Sequence, residues 1–204
     1  MLYIPVYVLT FFAVERLVPT TGYWVSYIPW DDLIPFCEYF VVFYCMWYPL
    51  LIGAALYLFL RDDRSFRLYA WFLIVAFTGT LLFCLLFPNG QDLRPAVMAH
   101  YNAATWLVEY TYSIDTNTNV FPSVHVVGAI GAAWAVRKTP SLRHRPAIRR
   151  AVAVLAALIC LSTLFIKQHA VLDAASGLGL ALAVGVPLYS SRRLHHFRPA
   201  IERE

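Results

Sequence analysis

Charge is what this sequence has least of. Only 14% of its 204 residues are Asp, Glu, Lys or Arg, against 60% hydrophobic residues and a mean hydropathy of +0.61. That shortage excludes an ordinary soluble domain. Cysteines with metal-type spacing are also missing. Cys37, Cys45, Cys84 and Cys160 all fall inside apolar runs, which excludes a zinc module and makes them small buried hydrophobes. The first residues have no basic region and no small-residue cleavage site, so no cleavable signal peptide is expected. Repeats and low-complexity segments are absent. The net charge of +4 is small, and its carriers sit at the ends of apolar runs, which points to membrane topology and not to nucleic acid.

What is present is a series of apolar runs of about 17–25 residues, the length that crosses a bilayer. Six spans are expected, at residues 3–18, 36–60, 67–87, 121–137, 149–166 and 170–190. The fold class is then all-α: a single integral membrane domain over residues 1–204, built as a six-helix bundle. Between spans three and four, residues 95–113 read as a helix lying on the membrane. Pro95 suits its first turn, and Val97, Tyr101, Ala104 and Val108 share one face. Spans four to six carry Gly128, Gly131, Ala151, Ala157, Ala175 and Gly179, small residues that let helices approach closely in lipid, so these spans form the expected core.

The basic residues alternate between the two sides. Arg61, Arg64 and Arg67 follow span two, six basic residues from Arg137 to Arg150 follow span four, and Arg192, Arg193, Arg198 and Arg203 follow span six. The other side holds only Arg94 and Lys167, with Arg16 near the outer end of span one. The positive-inside rule puts both termini in the cytoplasm. It also gathers Arg94, His125, His169 and Asp173 at the outer face, although none of them was used to draw the spans.

Those four residues are the candidate chemistry. His169 and Asp173 stand four apart, so on a helix they share a face, and a carboxylate on one imidazole nitrogen raises the basicity of the other. The same pair in isolation would be a local bond at a helix start. Pro122-Ser123-Val124-His125 opens span four, where free amides and the helix dipole favour an anion. Ser123 adds a hydroxyl there, or caps the helix; His125 faces the same space, or lies at the interface. Arg94 suits a phosphate clamp, or anchors a lipid headgroup. Ionisable residues at the ends of spans are costly and usually functional, which favours the joint reading of all of them as one phosphate site.

Together these residues resemble the type 2 phosphatidic acid phosphatase superfamily of membrane lipid phosphatases and phosphotransferases. Its motifs are Lys-x6-Arg-Pro, Pro-Ser-Gly-His and Ser-Arg-x5-His-x3-Asp. Here they correspond to Phe87 through Arg94-Pro95, to Pro122-Ser123-Val124-His125, and to Ser162-Thr163 through His169 and Asp173, all within residues 87–180. The resemblance implies a reaction that uses no metal and no cofactor. His169 would attack phosphorus and become phosphohistidine, Asp173 would orient it, and His125 would protonate the departing alcohol. Arg94 and Ser123 would hold the phosphoryl oxygens. Two cations of the family pattern are replaced, by Phe87 and Thr163; Lys167 is a candidate substitute, Lys167 and Thr163 remain candidates for phosphate binding, and Val124 stands for the usual glycine. Phe87-Pro88 looks more like the branch of sphingomyelin and inositol phosphorylceramide synthases.

The expected activity is thus hydrolysis of a lipid phosphate ester at the outer face, with the plasma membrane the expected location and the bilayer and its lipid phosphates the expected partners. Headgroup phosphotransfer is the alternative. A transporter or channel would place ionisable residues deep in several spans. A metalloenzyme would use His100 with His125, His169 and Asp173, and an intramembrane serine protease would use Ser123 without needing Asp173. The topology is directly testable. Single cysteines at Thr116 and Ser141 should react with an impermeant maleimide from opposite sides of the membrane, Thr116 from outside. Labelling of both from one side would refute the six-span arrangement.

Overall fold

In a lipid phase the backbone has no water to bond, so long apolar runs satisfy their amides and carbonyls as helices. The computed structural model describes Tyr7, Leu9, Thr10, Ala13 and residues 22–190, and its long elements are all helical. Strand β1 (Trp24–Val25) and a single turn, α1 (Trp30–Leu33), come first. A 3₁₀ turn at Glu38–Phe40 then leads into α2 (Val41–Cys45) and α3 (Trp47–Arg61), followed by α4 (Asp63–Leu86) and β2 (Asn89–Gly90). Helices α5 (Ala103–Ile114), α6 (Val124–Lys138), α7 (Pro146–Phe165) and α8 (Val171–Ser190) complete the order.

Four stretches are long and apolar enough to cross a membrane: Glu38–Arg61, Asp63–Leu86, Pro146–Phe165 and Val171–Ser190. They match four of the six expected spans. All but four positions of the expected span at 3–18 lie outside the described residues. The span expected at 121–137 is the 15-residue α6. At 1.5 Å per residue it is about 22 Å long, less than the roughly 30 Å hydrocarbon thickness.

Short as it is, α6 is the centre of the fold. It packs against α3, α4, α7 and α8, whereas α7 and α8 touch each other little. The expected core of spans four to six is therefore corrected: α3 and α4 close on α6 as α7 and α8 do. Small residues make this possible. A Cβ on Gly131 would lie 2.2 Å from the Phe72 ring, and one on Gly128 would lie 2.7 Å from the Trp47 indole nitrogen. Gly179, one of the expected packing residues, faces open space.

The outer connection also departs from expectation. Its helix starts at Ala103, not at Pro95, because Asn102 and Thr105 form a capping box. The Asn102 side chain accepts from the amides of Ala104 and Thr105 at 2.8 and 2.9 Å, and Thr105 Oγ1 accepts the Asn102 amide at 2.8 Å. Val97 and Tyr101 are 81% and 82% exposed, so they share no buried face with Val108. The buried side of α5 is Thr105, Val108 and Thr111. Trp106 and Tyr110 stack on its exposed side, 5.8 Å apart.

The two short strands pair in parallel, Trp24 with Asn89 and Val25 with Gly90. Gly90 also bridges to Thr118, which brings the stretch leading to α6 alongside.

The packing around α6 yields a direct test. Phe72 is fully buried and cannot swing aside, so Gly131→Ala should destabilise the protein by about 1–3 kcal/mol, the usual cost of overpacking. Gly179→Ala should leave the melting temperature in detergent unchanged or slightly raised. Thermal unfolding of the two variants side by side measures the difference.

Candidate active site

The site forms where the N-termini of α6 and α8 meet. Ser123 caps α6, its hydroxyl accepting the Val126 amide at 3.4 Å, so the helix begins at Val124. Pro122 therefore lies before the cap, outside the helix that its motif was expected to open. The Ser123 amide donates to the Asp173 carbonyl at 3.1 Å, which ties the two helix starts together. A Cβ on Gly177 would lie 2.7 Å from the Ser123 carbonyl, so α8 can approach this closely only with glycine there.

His169 does not lie on a helix, as its spacing from Asp173 suggested; it sits in the turn before α8. That turn is pinned by the end of α7, where the Thr163 carbonyl accepts the amides of Gln168 and His169 at 2.9 and 3.0 Å. Asp173 Oδ2 accepts the Ala170 amide at 2.7 Å, half of a capping box. The same oxygen stands 3.6 Å from His169 Nδ1, just beyond hydrogen-bond reach. Both side chains are buried, and the His169 ring lies 5.7 Å from that of His125.

His125 is held by α2 and α3. Tyr44 stacks on its ring at 4.3 Å, and the tilted Trp47 indole lies 4.7 Å away. The Trp47 indole nitrogen donates to the His125 carbonyl at 3.0 Å. His125 Nδ1 is 3.5 Å from the Tyr44 hydroxyl, which donates to Asp115 Oδ2. His125 Nε2 is buried with no hydrogen-bond partner among the described residues.

Arg94 reaches the same cluster through neutral groups. Its Nη2 donates to Gln168 Oε1 at 2.7 Å and to the Asp115 carbonyl at 2.6 Å, and Nη1 donates to the Tyr112 carbonyl at 3.3 Å. The guanidinium lies over the Tyr112 ring, 4.2 Å from its centre. The two remaining phosphate candidates face protein oxygens. Thr163 Oγ1 donates to Cys160 O at 2.8 Å, and Lys167 Nζ donates to the Asp31 carbonyl at 2.7 Å. Burial lowers the Lys167 ammonium below the usual lysine range, against the opposing pull of Asp31 and Asp32.

Several contributors escaped the sequence reading. Asn89 holds the approach to α6, its Oδ1 accepting the Phe121 amide and its carbonyl accepting the Asn119 amide, both at 2.8 Å. Gln91 Nε2 donates to the Lys167 carbonyl at 3.0 Å. Neutral amides carry no motif, and their partners lie far along the chain. Gln168, beside His169, was the one that proximity could have suggested. His100 joins no metal-like cluster: among the described residues no three His, Cys, Asp or Glu side chains converge as ligands would. Beside the cluster, edge-to-face and tilted contacts link Trp24, Phe121, Phe83 and Phe87 at 5.0–5.5 Å, a run of aromatic rings ending in the 59%-exposed Phe87.

Apolar helices of membrane-spanning length thus close around two histidines and a carboxylate, with an arginine joined to them through Gln168 and Asp115. The sequence model of the PAP2 superfamily matches residues 24–186, most of the chain, and the chain belongs to that superfamily. It is therefore a phosphatase or phosphotransferase of phosphate esters. No curated protein and no solved structure matches it.

The contact between α8 and Ser123 predicts a variant impaired mainly in function. Gly177→Ala must push the Ser123 turn away from Asp173, so turnover of a phosphate ester should fall at least about tenfold. A 1 Å misplacement can cost 100-fold. Assay of the folded variant against wild type at matched concentration checks it.

Proposed function

We propose that this protein cleaves a lipid phosphate ester at the outer face of the membrane through a phosphohistidine on His169. The observation that carries the reading is the pair of buried histidine rings 5.7 Å apart, with Asp173 behind one and Tyr44 and Asp115 behind the other. Rings this close can serve one phosphorus atom.

With Asp173 beside Nδ1, His169 keeps its Nε2 lone pair for attack. The N–P bond forms as the ester P–O bond breaks, and the leaving alkoxide takes a proton from Nε2 of a protonated His125. Asp115, acting through the Tyr44 hydroxyl, stabilises that imidazolium. In the second step neutral His125 accepts a proton from water as its oxygen attacks phosphorus; the N–P bond breaks and phosphate leaves. Charge on the phosphoryl oxygens is offset by Arg94 and by the amides opening α6, the main source of acceleration in phosphoryl transfer. The reaction in this form uses no metal.

A lipid substrate is supported by the aromatic run from Trp24 to Phe87, which gives an apolar tail a route to the Pro122–Ser123 turn. The outer-face location and cytoplasmic termini rest on the alternation of basic residues. Phe87 and Thr163 also favour a second reading. With two family cations absent and Lys167 turned to Asp31, the site suits a phosphodiester, with one charge, better than a monoester with nearly two. A diester substrate would fit headgroup phosphotransfer, with a lipid hydroxyl in place of water.

Purified protein offered lipid phosphomonoesters and diesters, with free phosphate and new lipids both measured, separates the two readings. An acid-labile, base-stable phosphoenzyme should form with wild type and be absent in His169→Ala, whose turnover should be abolished. Tyr44→Phe should lower turnover about 10–100-fold, less than the roughly 100–10,000-fold that a general acid itself contributes. Vanadate should inhibit and chelators should not. Full activity in His169→Ala would reject the mechanism.

A further inference from the structure

One buried carboxylate bonded at both of its oxygens near the site belongs to none of the three motifs. Asp31, in the turn α1, is 1% exposed. Its Oδ1 accepts the amide of Val171, the first residue of α8, at 2.8 Å. Its Oδ2 accepts the Ile28 amide at 2.8 Å, and its carbonyl accepts Lys167 Nζ at 2.7 Å. Two of these partners, Lys167 and Val171, bracket His169 two residues away on either side.

The arrangement has a definite electrostatic sense. A helix N-terminus carries partial positive charge and unpaired amides, and a carboxylate is its natural complement. Asp31 supplies one to α8 from a segment about 140 residues earlier in the chain. Lys167 has φ +54°, in the left-handed region uncommon for side chains other than glycine and asparagine, so its backbone needs outside support. It receives that support twice, from Asp31 through its ammonium and from Gln91 through its carbonyl.

We infer that Asp31, with Lys167 as its counter-group, is a positioning residue that fixes the turn carrying His169 for attack on phosphorus. The inference rests on the reading of His169 as nucleophile and assigns Lys167 a role other than phosphate binding. Asp31 touches no substrate in this role. It holds the imidazole in register by clamping the residues on both sides.

The test uses the full chain in detergent with the lipid phosphate ester that wild type turns over. Rate constants, vanadate inhibition, rapid-quench phosphoenzyme and melting temperature are compared. Asp31→Ala should lower kcat and the rate of phosphoenzyme formation by about 100-fold, the cost of an ångström-scale misplacement, with KM and vanadate inhibition within about threefold of wild type. Asp31→Asn keeps an oxygen for the Val171 amide and should recover kcat to within about tenfold of wild type. Lys167→Met should lower kcat and leave KM unchanged. If Asp31→Ala does not fold, Asp31→Asn and Lys167→Met carry the test on their own.

A kcat within threefold of wild type in Asp31→Ala, or in Lys167→Met, would overturn the inference. So would a loss confined to KM or vanadate affinity, which would make these residues substrate ligands, or an Asp31→Asn no better than Asp31→Ala. Phosphohistidine in wild type together with an unaffected Asp31 series overturns only the positioning role. Full activity in His169→Ala overturns the nucleophile reading and this inference with it.

Discussion

One backbone hydrogen bond, from the Ser123 amide to the Asp173 carbonyl, joins the two helices on which the site is built. α6 brings His125 and α8 brings Asp173, and neither side chain contacts the other element by sequence proximity. The bond works because Gly177 lets α8 reach the Ser123 turn, and because Asn89 holds the preceding residues from the opposite side. Remove the close approach and His125 keeps its helix and His169 its turn, but the two lose their common frame.

A second constraint follows from the surroundings. Three irregular connections meet at this end, and their amides and carbonyls need partners within the protein, since unpaired polar groups beside lipid are expensive. Neutral side chains supply many of them. Gln91 serves the Lys167 carbonyl and the Leu93 amide, Gln168 serves the carbonyls of Asp115 and Thr116, and Asn89 serves Phe121. An amide can donate and accept at once without adding charge to a site that already holds several ions.

The grouping of the motif residues was legible from their types and spacings: His125, His169, Asp173 and Ser123 fall in one cluster, with Arg94 joined to it through Gln168 and Asp115. Four long helices were legible for a similar reason, since bilayer thickness sets their length. Tyr44 and Asp115 were not, because each meets the other across 71 residues and neither sits in a spaced pattern. Lys167 was read by its charge alone, which suggested phosphate; its ammonium is instead bonded to a carbonyl 136 residues away. Asn102 is a different case. Asn with Thr three residues on is a readable helix start, and the proline further upstream displaced it in the reading.

The break in the long apolar run at Met46 separates α2 from α3, yet Tyr44 and Trp47 flank it three residues apart and both reach His125. An imidazole held against two larger rings cannot turn over without parting them. Its two nitrogens are therefore not interchangeable in time. One meets the tyrosine hydroxyl, the other has no hydrogen-bond partner among the described residues, and the distinction is kept by shape before any proton has been assigned.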